Sequence, residues 1–262
     1  MRDYKHIKIS RRDRILTLTL NKPETLNAVD GALHGELSHI FMEADQDPDS
    51  DIIILTGAGK AFSAGGDIEH MKRLHRDRAF YTVVLKEAKQ IIFSILAMEK
   101  PLIAKLNGHT TGFGATMALF CDIIFANEKA KIGDPHVSAG LTAGDGAAVI
   151  WPQLIGFARA KEYLMTGNLM PMTKAAEMGL INYAVPPEEL DQRVDAFADE
   201  LAAGAKIAIS TTKMSINIVL RQLASNIMDA CLAYETYSAL SDDHLEALNA
   251  FSEGRKPRFT GK

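Results

Sequence analysis

Two stretches limit what this chain can fold into. Asp51-Ile-Ile-Ile-Leu-Thr56 and Leu102-Ile-Ala-Lys-Leu106 are apolar runs that break directly into the turns Gly57-Ala-Gly59 and Asn107-Gly108. An unbroken β-branched run of this kind is expected for a strand covered on both faces. Each turn is followed by a helical pattern, one opening at Asp67 and the other near Gly112. Repeated β-turn-α units of this sort give an α/β core.

The surrounding segments agree. Ile7-Lys-Ile9 and Ile15-Leu-Thr-Leu-Thr-Leu20 read as a hairpin closed by Asn21-Lys-Pro23. Leu33, Leu37, Ile40, Phe41 and Ala44 recur at helical spacing, and a helix is expected from Tyr81 to Met98, stopped by Lys100-Pro101. Asp122-Ile-Ile-Phe-Ala126 is the last strong strand. Beyond residue 145 the chain reads as almost wholly helical, in pieces 147–154, 158–166, 173–178 and 187–203 and two long stretches to Phe251.

Composition narrows the class. A chain of 262 residues, 47% hydrophobic, buries a full core without staples. Its two cysteines, Cys121 and Cys231, are far apart and lack C-x-x-C spacing, which fits a reducing cytosol. Twenty-nine basic residues against thirty-three acidic give a net charge of −4, unsuited to coating nucleic acid. No apolar leader follows Met1, and no run reaches bilayer-spanning length, so a soluble cytoplasmic protein is expected.

The turns carry the first hint of chemistry. Lys60-Ala-Phe-Ser-Ala-Gly-Gly-Asp-Ile68 and Asn107-Gly-His-Thr-Thr-Gly-Phe-Gly-Ala115 are rich in small residues that let a ligand approach the backbone. Amides near a helix start are unpaired and point outward, so two such bends side by side could hold an oxyanion. An ordinary strand-to-helix turn with Asp67 as N-cap explains either bend taken alone. Neither a G-x-S-x-G nucleophile, a Walker lysine nor a dinucleotide fingerprint is present.

Four motifs in series resemble the enoyl-CoA hydratase/isomerase (crotonase) superfamily over nearly the whole chain. They are Asn21-Lys-Pro-Glu-Thr-Leu-Asn-Ala28, the bend from Lys60 to Ile68, the bend from Asn107 to Gly114, and Cys121-Asp-Ile-Ile-Phe-Ala126. The resemblance implies a crotonase-like spiral of β-β-α units over residues 1–200 and a helical C-terminal trimerisation region over 201–262. It further implies a homotrimer or homohexamer. It implies an acyl-CoA thioester whose carbonyl oxygen sits between the amides of Gly66 and Phe113. The adenosine end would lie around Ala64, Asp67 and Ile68, with Lys22 and Lys60 the nearest basic groups for its phosphates. Coenzyme A enters as part of the substrate, and no separate cofactor, nucleic acid or membrane is implied.

The chain departs from the pattern where hydratases of this family place two glutamates: it has Thr116 and His136 instead. A threonine hydroxyl is no general base near neutrality, so the two-glutamate hydration mechanism does not carry over. Imidazole does move protons in that range. Asp145, in Gly144-Asp-Gly146, could fix the ring's tautomer, or could serve only as a helix cap. The His136–Asp145 spacing is similar to that of the superfamily's carbon–carbon bond hydrolases, which open β-diketones by a retro-Claisen reaction. The placement of Asp145 also resembles the nucleophile of its haloaryl-CoA dehalogenases. Phe113 stands where the diketone branch has a further histidine.

Other titratable residues have plainer readings. His34 and His39 are expected on a surface helix, His70 and His75 in a charged stretch, and His6 and His244 in solvent. His109 reads as a satisfied loop histidine. Glu235 could supply a further acid from a late helix, though exposure is the expected state. Arg255-Lys-Pro-Arg-Phe259 reads either as a solvated end or as an arm on a subunit or anionic substrate. No pair has metal-ligand spacing, so no metal is expected. The function expected is an acyl-CoA enzyme with an oxyanion hole and a His136–Asp145 acid/base pair. The alternatives are a retro-Claisen β-diketone hydrolase and a catalytically silent family member.

Overall fold

The structure, a computed structural model, describes residues 1–262. β1 (Ile7–Arg12) and β2 (Ile15–Leu20) form the expected antiparallel hairpin, Ile7 opposite Leu20. After α1 (Gly31–Asp45), the chain repeats one pattern three times: a long strand, a short strand, then a helix. The first turn is β3 (Ile52–Gly57), β4 (Ala61–Ser63), α2 (Ile68–Arg76) and α3 (Arg78–Ala97). The second is β5 (Leu102–Leu106), β6 (His109–Thr111) and α4 (Phe113–Leu119). The third is β7 (Ile123–Asn127), β8 (Lys131–Gly133), a 3-10 turn (His136–Ala139) and α5 (Ala147–Thr166). β9 (Met170–Pro171), α6 (Met172–Glu177), β10 (Tyr183–Val185), α7 (Leu190–Ala203), α8 (Lys206–Ala239) and α9 (Asp242–Ser252) complete the chain.

The long strands form a six-stranded sheet, β1-β2-β3-β5-β7-β10, parallel except for the hairpin edge. The short ones stack into a second sheet, β4-β6-β8-β9. This is a β-β-α spiral with helices gathered at the C-terminal end. β3 shows why its sequence is apolar throughout. Ile53 and Leu55 enter the main core, while Ile52 and Ile54 pack toward Val194 and Ala198 of α7 on the opposite face.

Two expectations need correction. The region beyond residue 145 is not almost wholly helical, because β10 pairs in parallel with β7 and extends the main sheet. The short strands β4, β6, β8 and β9 were also not expected. Segments of two or three residues, such as His109-Thr-Thr111, are too short to show a period of two. The break expected between residues 154 and 158 is a kink inside α5, where Gly156 has φ 78°. No helix is long and apolar enough to cross a membrane.

Candidate active site

The first bend is held open by side chains that take over backbone hydrogen bonding. Asn27 is fully buried; its Nδ2 donates to the carbonyls of Ala58 and Ala61, and its Oδ1 accepts from the Lys22 amide. Val29 bridges to the bend, its N–H donating to Gly65 O (2.7 Å) and its carbonyl accepting from Asp67 N–H (3.2 Å). In a parallel bridge of this kind the residue between the two bonded ones, Gly66, turns its own amide to the other side. Asp67 caps α2 by accepting from the His70 amide.

The second bend turns at Gly112, with φ 54° and ψ −131°, a conformation that only glycine adopts without strain. Phe113 is the first residue of α4, so its N–H has no intrahelical acceptor. The two bends touch. A Cβ placed on Gly112 would lie 3.5 Å from the Gly65 Cα and 3.9 Å from His136 Cε1. Gly66, Phe113 and His136 therefore border one chamber, together with Asp145 and Glu235.

His136 is clamped between two acids. Its Nδ1 hydrogen-bonds to Asp134 Oδ1, and its Nε2 lies 3.3 Å from Asp145 Oδ2. Burial favours the neutral ring, but both carboxylates outweigh it and hold the His136 pKa well above its ordinary value. Burial likewise pushes the Asp145 carboxyl up. The His136 ring, the Thr116 hydroxyl (3.1 Å) and the Ala147 amide pull it below its usual value. Asp145 thus serves the helix start and the imidazole together.

Glu235 reaches this cluster from α8. The helix comes close because residue 144 is glycine: a Cβ there would fall 2.3 Å from Cys231 O and 2.7 Å from Glu235 Cβ. Glu235 Oε2 is sealed from solvent and makes no hydrogen bond. Burial first, and the Asp145 charge second, push its pKa up to about 8. At neutral pH this carboxyl carries a proton, so the expectation of an exposed glutamate is overturned.

Other expectations also change. His34 is buried rather than on the surface, and it lines the chamber with His70. His244 is buried too, its Nδ1 bonded to Ala139 O at 2.7 Å. Ala64, Asp67 and Ile68 line a broader outer cleft that meets the chamber at Gly66, Met71, His136 and Leu141. Lys22 is not on that lining; its ammonium pairs with Asp30. Lys60 is exposed. Arg255 borders the cleft but is engaged by Glu246 and Glu253, so the basic tail folds back on its own chain.

Asp134 went unrecognised in the sequence. The signal was the Asp-Pro-His136 turn itself, in which Asp134 Oδ1 accepts from the His136 amide at 3.1 Å. His34 was signalled too, since it stands three residues before Leu37 and seven before Phe41 on the buried face of α1.

Asp134, His136 and Asp145 bring ligand-type atoms within 4.8 Å of one another. The acids occupy opposite nitrogens of one ring, so a single ion could bind only by displacing one of these bonds. The arrangement suits proton transfer.

A β-β-α spiral whose adjacent bends border one chamber with a buried carboxylate–imidazole cluster defines a class of α/β proteins. Comparison with known proteins places the chain within it. Residues 10–262 match the family model described as enoyl-CoA hydratase/isomerase. A probable enoyl-CoA hydratase of Mycobacterium bovis is 32% identical over 261 residues, 98% of each chain. A short-chain-enoyl-CoA hydratase of Clostridium acetobutylicum is 30% identical, with 96% of each chain covered. The crystal structure of an enoyl-CoA hydratase/isomerase from Mycobacterium paratuberculosis superposes with a TM-score of 0.89 at 31% identity. That match covers 93% of this chain and 97% of the other. The chain belongs to the enoyl-CoA hydratase/isomerase family, the crotonase superfamily of enzymes.

Proposed function

We propose that this enzyme acts on an acyl-CoA thioester whose carbonyl oxygen is held by the amides of Gly66 and Phe113. A cluster centred on His136 moves the proton at the neighbouring carbons. The observation that carries the reading is the convergence of both bends on the clamped imidazole. Each well-aimed amide donor contributes about 3 kcal/mol to holding an enolate or tetrahedral oxyanion. The acid/base group adds a factor of about 10²–10⁴.

The roles differ from a simple His–Asp pair. Asp134 fixes the ring at Nδ1, as the acid of a triad does, while Nε2 and Asp145 share the mobile proton. Glu235, protonated near neutrality, is a second acid on the same chamber. The thioester would supply coenzyme A as part of the substrate, its adenosine end in the outer cleft along Ala64, Asp67 and Ile68. No other cofactor and no metal enters the scheme. Exposed apolar side chains on α8, among them Ile216, Val219 and Tyr237, support assembly as a homotrimer or homohexamer. A cytoplasmic enzyme is the setting that suits such a substrate.

The second reading is retro-Claisen hydrolysis of a β-diketone. It is favoured by the imidazole and Thr116 standing where this family's hydratases have glutamates. Calorimetric titration with free CoA and a short acyl-CoA separates the two. Saturable binding that is tighter for the thioester supports the acyl-CoA reading, whereas binding of neither removes it and directs assays to linear and cyclic β-diketones. Purified enzyme that assembles yet turns over no thioester or diketone would mark a catalytically silent member.

A further inference from the structure

The inner chamber is polar on a wall that the acid/base cluster does not reach. Val29, Leu74, Val84 and Leu85 give it an apolar lining suited to an acyl group, but His34 of α1 and His70 of α2 interrupt that lining. His34 is buried, and its Nδ1 lies 2.8 Å from Glu87 Oε2 of α3. With Nδ1 paired to that carboxylate, Nε2 is the ring nitrogen left to the chamber, a lone-pair acceptor when the ring is neutral. The ring also packs against Phe113, centroids 5.4 Å apart, beside the amide assigned to the oxyanion.

His70 completes the pair. Its ring centroid is 6.4 Å from that of His34, and its Nε2 is sealed from solvent with no hydrogen-bond partner. Burial, and then the neighbouring His34, lower its pKa, so the ring is neutral at physiological pH. Asp67, Asp30 and Arg73 are the other charges acting on it, none of them from the His136 cluster. A buried polar atom without a partner is destabilising in any folded state, and a bound group that supplies the partner gains the difference.

We propose that the chamber is built for an acyl group bearing its own hydroxyl or oxo oxygen beyond the reacting Cα–Cβ bond, read by His34 and His70. A hydroxyl can donate to His34 Nε2 and accept from His70 in its N–H form, while an oxo group uses the His70 donor alone. A terminal carboxylate fits poorly, because His70 is neutral and Glu87 stands behind His34. A plain hydrocarbon chain offers no partner to His34 Nε2 or to the His70 ring. The inference rests on the thioester reading, since it takes the carbonyl to lie at Gly66 and Phe113.

The test is calorimetric titration of the full chain with hexanoyl-CoA, its 4-, 5- and 6-hydroxy analogues and 5-oxohexanoyl-CoA. At least one oxygenated thioester is expected to bind about tenfold or more tightly than hexanoyl-CoA. His34→Phe and His70→Phe should each bring that ratio toward one. Hydroxy analogues preferred over the oxo compound would assign the contact to the donating hydroxyl, and the reverse order to His70 alone. Hexanoyl-CoA binding as tightly as every analogue overturns the proposal and leaves the thioester reading standing, as does a preference that survives both substitutions. Failure of all the thioesters, with free CoA, overturns both. Should a phenylalanine variant not fold, His70→Gln replaces it, and the wild-type ratio decides by itself.

Discussion

The two walls of the chamber are made of different material. On one side, Gly66 and Phe113 offer backbone amides that neither titrate nor rotate, placed by glycine bends that touch each other. On the other, Asp134, His136, Asp145 and Glu235 are side chains from two distant parts of the chain: the two aspartates raise the His136 pKa, His136 lowers that of Asp145, and burial beside Asp145 raises that of Glu235. The first wall is insensitive to pH and, at Gly112, intolerant of a methyl group. The second depends instead on its charge balance. Substitutions can therefore separate a backbone contribution from an electrostatic one.

His136→Ala should do the most damage. It removes the acid/base group and leaves Asp134 and Asp145 buried without their cation. Turnover of a responsive substrate should fall about 10³-fold or more. Stability should fall by about 3 kcal/mol while fold and ligand binding persist. Wild-type turnover in this variant would sink the proposed mechanism.

Gly112→Ala attacks the other wall. At φ 54° a Cβ is strained, and relieving that strain turns the backbone where Gly112 meets the Gly65 bend. A loss of about 10²–10³ in kcat is expected, the amount associated with a displaced oxyanion donor. The pH dependence of the remaining activity should match wild type. A changed pH profile would show that the two walls are not separable.

Glu235→Gln should lower activity yet raise stability. The glutamate's folded pKa of about 8 lies above its ordinary value, so the unfolded state gives up its proton first as pH rises. The penalty is absent below pH ~4.5, grows as pH rises, and is complete above pH ~8. Glutamine removes it. The variant's gain, about 2–4 kcal/mol at most, should appear across that window in denaturation midpoints taken at several pH values. A gain independent of pH would mean that Glu235 is not held protonated.

These contrasts also explain what was legible beforehand. The backbone wall follows from local order: a strand covered on both faces, then glycines, then a helix start, each visible within about ten residues. Hence the β-turn-α core, Asp67 as a cap and the two bends could be read from residues alone, whereas the spiral followed only from the family resemblance. The charged wall depends on separation in sequence. Glu235 comes within reach because Gly144 admits α8, a packing fact that no periodicity on α8 reports. His34 and His244 were misplaced because a histidine on a helix was read as a polar surface residue. Burial of the first beside Glu87, and of the second against the Ala139 carbonyl, satisfies one ring nitrogen in each. Four short strands and β10 escaped because two or three residues carry no readable alternation.

Asp134→Asn gives the smallest effect and the sharpest discrimination within the charged wall. The amide keeps the side chain's shape and can still accept from the ring, but it withdraws one of the two charges that raise the His136 pKa. Imidazolium stabilisation is complete below the unfolded histidine value of about 6.5 and is lost as pH rises through the folded value. With Asp134 neutralised the folded value moves down, so the loss begins at lower pH. The His136 ring, followed by nitrogen NMR, should titrate about one to two pH units below its wild-type midpoint. Turnover should fall less than in His136→Ala, since Asp145 still faces Nε2. An unchanged midpoint would assign the raised pKa to Asp145 alone, and would reduce Asp134 to the turn it makes with the His136 amide.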